Sequence, residues 1–227
     1  MTTAALVLAA GRGERLGADL PKAFVKLAGV PLVLRSLRAL EAVPEIDVIV
    51  PVVAASDRAQ YEALSVEGLS KLSEPVSGGA HRQESMARGL AALPLSTKWV
   101  AVHDAARCLV DPLDVRAVLR AAVDEGAAIL ATRVSDTIKR VRDGRIVETP
   151  LREECFAAQT PQVFGFELLR EALAKATAED RQGTDDAQLV EALGVAVRVV
   201  ASRSPNPKIT HAEDLAWAEG WLEAKGG

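Results

Sequence analysis

Glycines and cations crowd one short stretch near the start of the chain, and their types and spacing suit phosphate chemistry. The apolar run Ala4-Ala5-Leu6-Val7-Leu8-Ala9-Ala10 is followed by Gly11, Gly13 and Gly17, with Arg15 among them and Lys22 just beyond. Glycine lets the main chain come close to a phosphate, and turn amides can point at its oxygens. Fixed cations then offset charge that builds on phosphorus. Two familiar nucleotide loops are excluded. The glycines miss the G-x-G-x-x-G spacing by one position, and Lys22 is preceded by Pro21 and followed by Ala23 where a Walker A loop needs Gly before and Ser or Thr after, so this is no Walker A loop. An ordinary strand-to-helix turn with solvated basic residues has the same composition, so the loop alone leaves both readings open.

Other segments carry polar groups at the ends of apolar runs. Trp99-Val100-Ala101-Val102-His103 leads into Asp104-Ala105-Ala106-Arg107, a carboxylate followed three residues on by a guanidinium. In an open α/β sheet, ligands sit outside the carboxyl ends of strands, so Asp104 is expected to face the same crevice as the glycine loop. A structural Asp104–Arg107 pair or a helix cap is the plainer alternative. Ser77-Gly78-Gly79-Ala80 opens a helix that carries Ser85, and reads either as a capped tight turn or as amides that recognise a base edge. Gln159-Thr160-Pro161-Gln162, Thr184-Asp185-Asp186 (an N-cap by type) and Lys208 complete the set.

The elements that must position these groups follow from hydrophobic periodicity. Strands are expected near 4–10, 47–53, 71–76, 99–103, 127–133 and 195–201. Helices are expected near 31–42, 56–65, 82–92, 112–125, 166–177, 185–193 and 211–224. Asp111-Pro112 reads as an N-cap followed by proline at the first helical position. Thr210-His211-Ala212-Glu213 reads as a capping box opening the last helix. Such alternation predicts an α/β fold, a three-layer, Rossmann-like, mostly parallel sheet with helices on both faces. One segment departs from it: between Asp136 and Phe156 the sequence alternates with period two around Asp143-Gly144, a strong hairpin signal. A lone two-stranded ribbon is marginal in water, so this arm should protrude and dock, and a second copy of the chain is a natural partner. The whole of 1–227 is read as one domain including the arm at 136–156.

Composition narrows the function. The chain has 227 residues, 49% hydrophobic and 26% charged, with a net charge of -4. No basic excess exists to neutralise a nucleic acid, and Ala4–Ala10 is far too short to span a membrane. The two cysteines, Cys108 and Cys155, form no C-x-x-C pair, and the three histidines have no zinc-type spacing, so a reduced cytoplasmic protein without a protein-held metal is expected.

Taken jointly, the blocks Leu8-Ala9-Ala10-Gly11-x-Gly13-x-Arg15-Leu16-Gly17 with Pro21-Lys22, Val102-His103-Asp104-Ala105-Ala106-Arg107, Asp136-Thr137-Ile138-Lys139, Gln159-Thr160-Pro161-Gln162, Thr184-Asp185 and Lys208-Ile209-Thr210 carry a family likeness. In order and spacing they resemble the sugar-nucleotide-type nucleotidyltransferases, in the branch of 2-C-methyl-D-erythritol 4-phosphate cytidylyltransferase of the non-mevalonate isoprenoid pathway. The resemblance implies that Arg15 and Lys22 stabilise the transition state at the α-phosphate of CTP. It implies that Ala9, Ala10, Gly11 and Gly13, with Gly79, Ala80 and Ser85, line the nucleotide. Asp104, Ala105 and Arg107 would form the ribose and substrate wall. Thr137, Arg152, Thr160 and Thr184 would form the methylerythritol phosphate pocket, with Arg152 and Lys208 positioning that substrate. It further implies a Mg²⁺ held mainly by CTP phosphates, and a homodimer in which the arm serves the partner's site. The chain departs from the family's usual residues at Leu8 (often proline), Ala80 (often acidic) and Cys108 (often proline). A cytidylyltransferase for another alcohol phosphate such as ribitol 5-phosphate, a non-catalytic nucleotide-binding module, and a dehydrogenase disfavoured by its glycine spacing are the other readings.

Overall fold

The computed structural model describes residues 2–11 and 20–226. The chain runs through β1 (Thr2–Leu8), β2 (Lys26–Leu27), β3 (Val30–Pro31), α1 (Leu32–Glu41), β4 (Val48–Val53) and α2 (Arg58–Glu62). It continues through β5 (Val76–Ser77), α3 (Arg82–Ala91), β6 (Thr97–Asp104), α4 (Pro112–Glu125) and β7 (Ala127–Arg133). Then come β8 (Arg140–Arg142), β9 (Arg145–Glu148), β10 (Phe156–Gly165), α5 (Phe166–Ala178), α6 (Asp186–Glu191), β11 (Arg198–Ala201) and α7 (Ala212–Ala224).

The main sheet has the order β11-β7-β10-β6-β1-β4-β5. Its neighbours pair in parallel except where β10 lies antiparallel to β6 and β7. Along β1, Ala5 and Val7 pack into a core shared with α1 and α4, while Ala4 and Leu6 pack with α3, α5 and α6. Alternate residues of a strand point to opposite faces, so a strand buried on both sides must be apolar throughout. That accounts for the unbroken apolar run, and it gives the expected three layers. A third cluster joins Leu27, Leu32, Cys108, Leu109, Ile209 and Ala218 beyond the strand ends.

Boundaries follow local chemistry. Asp111 caps α4 as expected, its carboxylate accepting from the Leu113 N–H at 2.8 Å. The box on α7 is shifted by one residue: His211 is the cap, and Asp214, not Glu213, accepts from the Thr210 and His211 N–H groups at 2.7 and 2.8 Å. The strand expected at 71–76 shrinks to Val76–Ser77 plus a bridge between Ile49 and Leu72, because Pro75 interrupts the edge with no N–H to give. The helix expected at 56–65 is a 3₁₀ turn, Ala55–Asp57, followed by the short α2.

β10 is the element that periodicity does not announce. It crosses the middle of the sheet although it carries Gln159, Thr160, Pro161 and Gln162, and its register shifts between Ala158 and Gln162, where Pro161 cannot join the ladder. The arm is present where expected. β8 and β9 pair only with each other, every residue of both is exposed, and Asp143 and Gly144 turn the chain with φ of 49° and 72°. Two consecutive positive φ angles are what a type I′ hairpin turn requires.

Candidate active site

Four stretches far apart in sequence meet at the carboxyl ends of β1, β4 and β6. The Ala105 N–H donates to Leu8 O at 3.1 Å, the Ala9 N–H to Val52 O at 2.8 Å and the Gly78 N–H to Val53 O at 2.7 Å. A side chain at Gly78 would run into the Ala10 methyl, so only glycine allows this turn to approach the end of the β1 run so closely. Ala9 is buried, Ala10 half-buried and Gly11 exposed at the rim. Gly13 and Arg15 lie outside the described residues.

The Gly78 turn is braced by the helix it opens. Ser85 Oγ accepts from the Gly79 N–H at 3.0 Å, and Glu84 Oε2 accepts from the Ala80 N–H at 2.8 Å. Recognition of a ligand through the Ala80 amide would therefore have to displace Glu84. Ser85 is buried and acts here as the brace of the turn.

Asp104, at the end of β6, is the hub. Its Oδ1 accepts from Arg82 Nε at 3.1 Å and its Oδ2 from Lys208 Nζ at 2.7 Å. Burial alone would push this carboxyl up, but the Arg82 guanidinium and then the Lys208 ammonium overcome that and hold it well below the usual carboxylate range. Lys208 reaches it because the Ile209 N–H donates to Ala106 O at 2.9 Å, fixing the loop after β11 against the loop after β6. Arg107 does not pair with the Asp104 carboxylate. It donates to the carbonyls of Asn206 at 2.9 Å and Ala158 at 3.2 Å, tying the same two loops to β10.

Thr160 lies behind the end of β6. Buried at 5% exposure, its Oγ1 accepts from the Asp104 N–H at 3.0 Å and lies 3.1 Å from His103 Nδ1. It is an anchor for Asp104. His103 is fully buried, and that burial depresses its imidazole to about 4, so it is neutral. Gln162 Oε1 accepts from the N–H groups of Asp186 at 3.1 Å and Ala187 at 2.9 Å, joining β10 to the start of α6.

Lys22 opens a 3₁₀ turn, Lys22–Phe24, whose Ala23 and Phe24 are buried. Its charge acts on the Cys108 thiol, which burial pushes up to about 11, and on Asp214 of α7. Lys22 is thus within electrostatic reach of Cys108, next to Arg107, and of Asp214 on α7. Thr184 is exposed just before α6, its N–H bonded to Gln188 Oε1 at 2.8 Å, and the N-cap is Asp185, which accepts from the Gln188 N–H at 3.0 Å. Thr137 and Arg152 are exposed on the arm, where Arg152 Nη1 donates to Ser135 O at 3.2 Å.

Two charged residues of the site escape a reading by motif. Arg82 stands between the glycine turn and Ser85, and Asp186 follows Asp185, yet neither carries a motif of its own. Their pairing, 104 positions apart, only the fold reveals. Among the described residues, no group of three His, Cys, Asp or Glu could hold a metal, and no helix is long and apolar enough to cross a membrane. The carboxylate at the strand ends, Asp104, already gives both oxygens to cations. Such a donor set suits a Mg²⁺ that arrives on a nucleotide's phosphates more than one seated on the chain.

Comparison with known proteins gives one consistent answer. The family model for IspD, 2-C-methyl-D-erythritol 4-phosphate cytidylyltransferase, matches residues 3–224. The 2-C-methyl-D-erythritol 4-phosphate cytidylyltransferase of Pelotomaculum thermopropionicum is 43% identical over 227 residues, 99% of this chain and 95% of the relative. The Thermus thermophilus structure of that name is 35% identical with a TM-score of 0.80, covering 98% of this chain and 100% of the other. The Anaerococcus prevotii 4-diphosphocytidyl-2C-methyl-D-erythritol synthase structure superposes with a TM-score of 0.89 at 28% identity, covering 98% and 96%. Full-length sequence identity and the shared fold thus agree, and the chain belongs to the 2-C-methyl-D-erythritol 4-phosphate cytidylyltransferase family.

Proposed function

We propose that this crevice transfers the cytidylyl group of CTP to 2-C-methyl-D-erythritol 4-phosphate, releasing pyrophosphate and 4-diphosphocytidyl-2-C-methyl-D-erythritol, and that the residues named above divide the work. The observation that carries this reading is the convergence at one set of strand ends of the Gly78 turn, packed against Ala10, and the Asp104–Lys208 pair. Ala9, Ala10, Gly11, Gly13 and Gly79, with Ala80 and Ser85, form the nucleotide wall. Asp104, Ala105 and Arg107 form the floor toward the ribose.

A phosphate oxygen of the acceptor attacks the α-phosphorus in line. The α-phosphorus–oxygen bond to the β-phosphate breaks, and pyrophosphate leaves with the electron pair. That oxygen is already ionised at neutral pH, so no general base is required. What the reaction demands is that two anions be brought together, and positioning with charge neutralisation supplies this. Lys22, together with Arg15, offsets the charge that accumulates at the α-phosphate. Lys208 and Arg152 hold the acceptor's phosphate, with Thr137 and Thr184 beside it and Thr160 supporting Asp104 from behind. Mg²⁺ on the triphosphate would neutralise the leaving group and shape the nucleotide for attack.

The exposed apolar residues Val141, Ile146, Val147 and Leu151 support a homodimer in which each arm covers the other copy. The single domain would work in the cytoplasm, in keeping with its unpaired Cys108 and Cys155. The test is pyrophosphate release with CTP and either acceptor. Turnover with methylerythritol phosphate and little with ribitol 5-phosphate supports the assignment. The reverse preference assigns a different acceptor, and CTP binding without release in either case removes the catalytic reading.

A further inference from the structure

A row of alternating charges leads away from the crevice into the protein. Asp186 Oδ1 and Oδ2 accept from Arg82 Nη1 and Nη2 at 2.7 and 2.8 Å, Arg82 Nε donates to Asp104 Oδ1 at 3.1 Å, and Asp104 Oδ2 accepts from Lys208 Nζ at 2.7 Å. The far end is fixed, since the Asp186 side chain is 2% exposed and its N–H is tied to Gln162 of β10. The near end is open, with the Lys208 side chain 43% exposed. Neither Arg82 nor Asp186 is among the residues expected to touch a substrate.

Resting on the activity above, we propose that Arg82 is a positioning residue that sets how firmly Asp104 holds Lys208, with Asp186 as its anchor. Asp104 carries one negative charge shared between two cations. Without Arg82 the whole of that charge falls to Lys208, and an incoming phosphate must draw the ammonium from a stronger pair. Without the anchor at Asp186, Arg82 turns fully to Asp104 and Lys208 is held less. The two losses therefore act on Lys208 in opposite directions, which a merely structural brace would not produce.

Removing Arg82 alone would strand the buried Asp186 carboxylate, a change that can unfold a protein. The test therefore pairs Arg82→Met with Asp186→Asn, which removes both partners, and sets it beside Asp186→Asn alone. Two readouts are taken on the full chain: KM for each substrate, and the rate at which a limiting amine-reactive ester acylates Lys208 without substrate, followed by mass spectrometry. In the double variant, KM for the acceptor phosphate should rise and Lys208 labelling should slow, each by about tenfold, as a modestly stronger hold of Asp104 on the ammonium would produce. KM for CTP should stay within about twofold of the parent. In Asp186→Asn, labelling should quicken and the acceptor KM should not rise.

Labelling that is unchanged in the double variant, or that moves the same way in both variants, overturns the proposal. So does a CTP KM that rises in step with the acceptor KM. Absence of turnover by the parent chain would instead overturn the functional reading, and labelling still decides the role of Arg82.

Discussion

At the wall around Asp104, Asp186, Arg82 and Lys208 find opposite charges within the same chain, and Thr160, Gln162 and Arg107 tie three elements together behind them. Along the arm, Val141 and Ile146 stand 54% and 62% exposed on a two-stranded sheet that pairs with no other strand. The first region pairs its Arg82, Asp104, Asp186 and Lys208 charges from within the chain. The second buries almost nothing of its own, so its apolar residues gain from the hydrophobic effect only when something outside the chain covers them. A rigid wall can hold charges where two anions must meet, while an arm can bring its Arg152 to a wall other than its own.

The contrast can be broken or sharpened at several points. The largest effect is expected at the crevice. Lys22→Ala should lower kcat by roughly 10²–10³ with a much smaller change in CTP affinity, as for the loss of one transition-state cation. Steady-state kinetics with CTP varied checks this, and an equal loss in both would make Lys22 a binding group only.

Next is the acid stability of the wall. His103 titrates near 4 when folded, below its ordinary 6.5, so the unfolded chain binds more protons between those values. Its contribution is fully present above about pH 6.5 and is lost as pH falls toward 4, by up to about 3 kcal/mol. Urea midpoints across that range measure the loss, and an assigned His103 imidazole signal titrating near 6.5 in the folded protein contradicts it.

Thr160→Val should cost about 1–3 kcal/mol, because it leaves the buried Asp104 N–H without an acceptor. Urea denaturation at neutral pH measures it. The smallest effect on stability is expected from the arm. Val141→Asp with Ile146→Asp should shift the stability of the monomeric chain by no more than about 0.5 kcal/mol, yet sedimentation should show that self-association is lost. A large stability loss at unchanged mass would place the arm against its own domain.

Legibility from sequence followed the same divide. The parallel strands and their helices were readable because burial on both faces forces unbroken apolar runs such as Ala4–Ala10, and the arm was readable from Asp143-Gly144. β10 was not, because its middle is polar: Gln162 spends its amide on the start of α6 and Thr160 its hydroxyl on Asp104, contacts that exist only after folding. For the same reason the hydroxyl of Thr160, which the family likeness assigns to the substrate pocket, is met on the Asp104 N–H. Arg82 and Asp186 carry charge without spacing, and only the meeting of α3 with α6 gives them a role.

The claim that the wall is whole and the arm is lent can be tested by mixing subunits. Lys208→Ala damages the wall and Arg152→Ala the arm, and each variant alone should be nearly inactive with CTP and methylerythritol phosphate. If the arm serves the other copy, equal mixing after dissociation and reassociation forms one intact site in each mixed dimer, restoring about a quarter of wild-type pyrophosphate release. Activity that stays at the level of the separate variants, although mixed dimers have formed, would show that the arm acts on its own crevice and would contradict the account.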